Sequence, residues 1–206
     1  MWPSAVILSR WLLANATVLS KASSVLEIGA GCGLVGLLAA RMVQKQQSTS
    51  TRVLLSDFNQ VVLENLQRNI LLNEVDSVCQ TVGLDFYQQS GTSHHGWKSI
   101  DGQRHAPVDI ILAADMICQP ADAVCAANTI HDALVSNGKA FVVCADAAHR
   151  FGVDHFAKEC QRVGLRILTQ EVIQTTPVAT DTDLEKTSGF VPGMSLTMYS
   201  LEKPNQ

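Results

Sequence analysis

The sequence predicts an α/β protein built as a three-layer sandwich around a seven-stranded, mostly parallel sheet with the last strand antiparallel. Three observations carry this. A short branched apolar run at residues 24–28 leads into closely spaced glycines and then a helix start. Further apolar runs alternate with segments of helical periodicity as far as a sixth strand. No helix fits between the sixth and seventh strands, and joining two strands without a crossover helix implies an antiparallel pair.

The 206 residues suit one domain with a sizeable core, and 47% hydrophobic with 17% charged residues is ordinary for a globular protein. Net charge is −4, with no basic stripe, so nucleic acid is not expected as the main partner. No apolar run is long enough to span a membrane, and no basic-then-apolar leader opens the chain. The six cysteines form no C-x-x-C pair and are expected to be reduced core residues of an intracellular protein. The expected location is the cytoplasm, with the nucleus in addition, and the expected state a monomer. No metal site is expected.

Pro3 suits a first helical turn, and Ala5, Leu8 and Leu12 give that helix an apolar side. The first strand follows at residues 24–28, then a helix at 34–45, a polar linker at 46–51 and a second strand at 52–57. Leu63, Leu66 and Ile70 predict a helix over 59–73, and residues 78–84 a third strand. Residues 87–107 lack periodicity and read as a surface insertion, whose His94 and His95 are expected to be solvated. A nearly unbroken apolar run at 108–114 is the central strand. Helices at 123–134 and 153–160 flank a strand at 140–145, with a turn at Asn137-Gly138 before that strand. Residues 165–173 and 195–202 are the last two strands, joined by a polar connection at 175–192.

The stretch Glu27-Ile28-Gly29-Ala30-Gly31-Cys32-Gly33-Leu34-Val35-Gly36 places a ligand over a helix N-terminus. It satisfies G-x-G-x-x-G from Gly31, a dinucleotide fingerprint, and equally an acidic-x-Gly-x-Gly-x-Gly pattern. Glu27 could orient the loop or meet a cationic amino group. Asp57, about 20 residues on, stands where Rossmann-like folds place the ribose-binding acid, although a helix cap is its plain alternative. Tyr199 and Lys203 match Y-x-x-x-K, but on a strand they lie roughly 13 Å apart and cannot act as a pair.

Trp2-Pro3-Ser4-Ala5, the run from Leu26 to Gly36, Ser56-Asp57, Asn69-Ile70-Leu71-Leu72-Asn73 and Ala113-Ala114-Asp115 occur in that order. Together they resemble the seven-β-strand S-adenosylmethionine-dependent methyltransferases, within them the methyltransferase-like protein-lysine methyltransferases of non-histone proteins. The resemblance implies S-adenosyl-L-methionine as cofactor and a lysine-bearing protein as partner. It implies one domain over 1–206, with a leading helix at 1–15, a cofactor half at 25–85 and a substrate half at 108–203.

Cofactor contacts would then come from Trp2, Glu27, Gly29, Ala30, Gly31, Gly33, Asp57, Asp85, Phe86 and Ala114. Asp115 would face methyl transfer as a positioning group, or serve only as a helix cap. Cys118 stands where the family's D-x-x-Y motif has tyrosine, and the family usually has a segment before the tryptophan. A weak short form that binds cofactor or a partner is therefore one alternative expectation, and a small-molecule methyltransferase, which would share every cofactor residue, is another.

Overall fold

A computed structural model describes residues 2–46, 51–92, 95–145, 150–174 and 195–205. In chain order it contains α1 (Pro3–Ala14), β1 (Ser24–Ile28), α2 (Leu34–Lys45), β2 (Arg52–Asp57), α3 (Gln60–Leu72) and β3 (Cys79–Gly83). Then come β4 (Trp97–Lys98), β5 (Arg104–His105), β6 (Val108–Ala114), α4 (Pro120–Ala133), β7 (Leu134–Ala145), α5 (Val153–Arg162), β8 (Arg166–Gln174) and β9 (Ser195–Glu202). The expected connection at 175–192 and His94 lie outside the described residues, and His95 is exposed.

Seven strands form one sheet in the order β3-β2-β1-β6-β7-β9-β8. β9 enters between β7 and β8 and runs antiparallel to both. The remaining pairs, β1 with β2 and β6, β2 with β3, and β6 with β7, are parallel. Alternating side chains send the sheet's apolar groups to both faces. On one face Val25, Val53, Leu55, Ile110 and Leu112 pack with Leu8 and Leu12 of α1, Val35 and Val43 of α2, and Leu66 and Ile70 of α3. On the other, Leu26, Ile28, Ile111 and Val142 pack with Ala123, Ala127 and Ile130 of α4 and Phe156 of α5. The strand cores are buried on both sides, which is why they read as continuous apolar runs.

Helix ends follow their sequence signals. Pro3 opens α1, and Trp2 is its extended N-cap residue. Asn59 caps α3 by accepting the N–H groups of Val61 and Val62, a contact worth about 1 kcal/mol.

Three expectations need correction. The turn at Asn137-Gly138 lies inside β7, because the register jumps from Val108↔Leu134 to Ile110↔Lys139. The bulge is absorbed by Asn137 at φ +62°, a left-handed conformation that asparagine tolerates. The cysteines are free, but only Cys79, Cys144 and Cys160 are buried. Cys32 and Cys118 are exposed, since one sits in the glycine loop and the other in the connection before α4.

The insertion at 87–107 is likewise not all surface. Trp97 on β4 is fully buried in the α4 layer, its ring 4.3 Å from that of His105 on the paired β5. Composition hid it, because one tryptophan in a polar stretch makes no period. Trp97→Ala should cost about 3–5 kcal/mol in urea unfolding, as core aromatic truncations do. A loss within about 0.5 kcal/mol would return the segment to the surface.

Candidate active site

β1 lies where the strand order reverses, with β2 on one side and β6 on the other. There the outgoing connections diverge and leave a crevice at the carboxyl ends of the strands. The glycine loop after β1 walls this crevice. Gly29, Gly31 and Gly33 have φ of +66°, +55° and +82°, which side chains with a Cβ rarely adopt. The loop is pinned from beneath. The Ala30 N–H donates to Ser56 O at 2.8 Å, and the Gly31 N–H to Asp57 Oδ2 at 3.2 Å. A Cβ on Gly31 would meet nothing within 4 Å, so the loop faces open space there.

Beside the loop is a cavity of about 450 Å³. Gly29, Asp57, Asp85 and Phe86 line it together, as do Phe58, Leu84 and Met116. Asp57 is not the cap of α3. Asn59 does that, while Asp57 Oδ1 takes the Asn59 N–H at 3.0 Å. Asp85 accepts the Tyr87 N–H at 2.9 Å and turns Phe86 towards the cavity through a short 3-10 turn. Tyr87 stacks on Phe86 and donates its hydroxyl to Asp122.

Other expected site residues fall elsewhere. Glu27 is not on the cavity wall. Its carboxyl lies in the core and Oε2 accepts the Gly36 N–H at 2.9 Å. Of the two roles open to it in the sequence, the geometry assigns orientation of the loop and of α2. Gly33 is the N-cap residue of α2, and a Cβ there would run 2.6 Å from the Leu66 side chain, on the α3 side. Ala114 ends β6, half-buried. Trp2 is 57% exposed, and its ring carries the Arg150 guanidinium 5.1 Å from its centroid.

Asp115 is at φ +58°, its N–H bonded to Val143 O. It caps no helix. Asp122 takes the Cys118 and Gln119 N–H groups at the start of α4 instead. The Asp115 side chain is 2% exposed and held by Arg150, with Nε to Oδ1 at 3.3 Å and Nη2 to Oδ2 at 3.1 Å. Cys118 faces outward, and partial burial pushes its thiol above the ordinary value.

Sequence reasoning missed Phe58, Leu84, Met116, Tyr87 and Arg150. Phe58 and Met116 each follow an acidic or turn residue that was noticed, and strand ends supply ligand groups in this architecture. That rule could also have flagged Arg150, which lies shortly beyond the carboxyl end of β7.

The sequence model of a family described as lysine methyltransferase matches residues 1–162. The chain belongs to the lysine methyltransferase family. That membership removes the dinucleotide-enzyme reading of the glycine loop. Tyr199, buried in β9, and Lys203, bonded to the carbonyls of His131 and Leu134, serve the core.

The chain is 33% identical over 124 residues to a histone-arginine methyltransferase, METTL23, of Xenopus laevis, covering 59% of this chain and 45% of that protein. It is 33% identical over 124 residues to the human METTL23, covering 59% and 56%. It is 32% identical over 128 residues to the protein-lysine N-methyltransferase EFM2 of Saccharomyces cerevisiae, covering 62% and 28%. The chain thus spans about half the length of the METTL23 relatives it matches. Among solved structures, a sarcosine dimethylglycine methyltransferase from Galdieria sulphuraria, described as putative, shares the fold at a TM-score of 0.62 and 13% identity, covering 97% of this chain and 86% of that one. An O-methyltransferase from Thermotoga maritima does so at 0.63 and 15%, covering 96% and 66%.

Membership of the lysine methyltransferase family implies S-adenosylmethionine, and the cavity fits its nucleoside. Asp57 and Asp85 offer acceptors for hydroxyl and amine donors. Phe58 and Phe86 offer flat aromatic cover, and Leu84 and Met116 add aliphatic contact. The volume lies within the ordinary range of small-molecule sites, about 300–1,000 Å³. Among the described residues no cluster could hold a metal ion.

Burial pushes the Glu27 carboxyl up from 4.5 to about 8. The folded state therefore binds the extra proton between those values, and its stability falls as pH rises through that window. Glu27→Gln has no such proton. Its stability relative to the parent should improve by at least about 1 kcal/mol between pH 5 and pH 8, roughly the value of one pKa unit. Parallel unfolding curves at the two pH values would contradict this.

Proposed function

We propose that this chain binds S-adenosyl-L-methionine at the carboxyl ends of β1, β2 and β6 and methylates lysine side chains of a non-histone protein. The observation that carries the reading is the shared cavity of Gly29, Asp57, Asp85 and Phe86 in a chain whose first 162 residues match the family. Asp57 takes the ribose hydroxyls, and the Gly29-to-Gly31 backbone leaves room for the amino-acid part. Phe58 and Phe86 cover the base, with Asp85 at its edge. When bound, the cofactor supplies a methyl group already activated on a sulfonium. The protein's share is alignment. A lysine amine, with an ordinary pKa of about 10.4, must also arrive without its proton, and a desolvated site favours that form.

The METTL23 relatives bring an arginine acceptor into view as a second reading. A guanidinium stays charged and would require carboxylates to grip it. Asp115, which follows β6, is occupied by Arg150, and Asp122, in the first turn of α4, by Tyr87 and two backbone N–H groups. This favours lysine. Work in the cytoplasm or nucleus is supported by six unpaired cysteines.

Isotope-labelled S-adenosylmethionine, incubated with the protein and a cell extract and followed by acid hydrolysis, tests the acceptor. Methyllysine in a protein fraction is expected. Methylarginine would establish the second reading, label confined to small molecules a small-molecule enzyme, and no transfer a binding protein. Asp57→Ala, folded, should weaken S-adenosylhomocysteine binding at least tenfold in calorimetry, since a charged hydrogen bond is worth about 1.5–3 kcal/mol. Unchanged affinity would leave Asp57 only its part in holding Gly31.

A further inference from the structure

Asp115 and Arg150 form a nearly buried ion pair, on side chains 2% and 22% exposed, and Asp115 directly precedes Met116 of the cavity wall. The contact is made side-on, through Nε and Nη2. Three further features hold it. Asp115 is fixed in a left-handed conformation by its N–H bond to Val143 O at 2.9 Å. The backbone beyond Arg150 is pressed against the segment beyond Asp115, with the Gly152 N–H on Cys118 O at 3.3 Å. A Cβ on Gly152 would stand 2.1 Å from Gln119 O, so only glycine permits this approach. Trp2 closes the arrangement as an aromatic face under the guanidinium.

We propose that Arg150 is a positioning residue of the acceptor site: bidentate on Asp115 and covered by Trp2, it cancels the aspartate charge so that a lysine amine is received uncharged. The inference rests on the lysine reading above and deepens it. An uncompensated Asp115 would attract the acceptor as ammonium, whose nitrogen has no free electron pair for attack. With the charge cancelled, Asp115 still shapes the site without favouring the protonated acceptor.

The other titratable groups facing Asp115 do not supply that compensation. The thiols of Cys118 and Cys144 lie close enough to feel its charge, and burial pushes both upward, so they stay neutral near pH 7. Asp122, beyond Cys118, is an anion already tied to Tyr87. Arg150 keeps its own charge, since the hydrogen bond to Asp115 raises it above the ordinary arginine value.

The test uses n-butylammonium, which reproduces the end of a lysine side chain, and n-pentanol as its uncharged counterpart. Both are titrated into the protein by NMR, with and without S-adenosylhomocysteine. The parent should prefer the cation by no more than threefold. Arg150→Ala and Arg150→Gln should bind n-butylammonium at least tenfold more tightly than the parent, with n-pentanol changed less than threefold. Arg150→Lys should behave as the parent, and Asp115→Asn added to Arg150→Ala should erase the gain. A parent that already prefers the cation tenfold overturns the proposal, and this comparison needs no variant to fold. So does unchanged cation affinity in a folded neutral variant, or an equal gain for n-pentanol, which would make Arg150 a space-filler. The titration involves no methyl transfer. Failure to label any lysine would therefore sink the functional reading and leave this result standing by itself.

Discussion

The N–H of Gly36, in the first turn of α2, ends on the carboxyl of Glu27 at 2.9 Å, with Glu27 deep in the core. An ionised carboxylate in that position would be very costly, so the group keeps its proton near neutral pH, as burial demands. The bond ties the end of β1 to the start of α2 across the glycine loop. The close fit depends on Gly36, because a Cβ there would stand 2.5 Å from Glu27 Oε2 and 2.0 Å from the Leu55 side chain. Once both ends of the loop are fixed, its left-handed glycines have one path to follow. Asp57 then holds Gly31 from the next strand and faces the cavity with its other surface.

From this anchor the cavity is built by neighbouring strand ends. β2 ends on Asp57 with Phe58 after it, the segment beyond β3 delivers Leu84, Asp85 and Phe86, and the segment beyond β6 delivers Met116, with Asp115 before it. Arg150 comes from beyond β7 and Trp2 from the N-cap position before α1. The Tyr87–Asp122 bond joins the turn after β3 to the start of α4, and both residues line the same cavity. Stability and function share these contacts.

Much of this was legible in the sequence because local chemistry announces it. Apolar runs marked the doubly covered strands, and the missing crossover marked β9 as antiparallel. Asp57 was readable because it ends β2 about 20 residues beyond the glycine loop, whereas Asp85 and Phe86, two and three residues past the end of β3, were named only through the family resemblance. What stayed hidden depends on contacts between distant segments. Nothing near Trp97 signals that a polar insertion folds back onto α4. Nothing near position 150 signals that its guanidinium meets a carboxylate 35 residues earlier. Glu27 was visible as an anomaly, but only the direction of its side chain decided between cofactor and loop.

Hydrogen exchange of backbone amides, with and without S-adenosylhomocysteine, tests the central claim most directly. The account predicts protection at Gly29 to Gly31, at Phe58 and at Phe86 to Tyr87. It predicts no change at Ser99, Ile100, Asp101, Gln103 and His105, which line a separate cleft beside β3. Protection confined to that second cleft, or equal protection of the glycine loop by NAD, would contradict it.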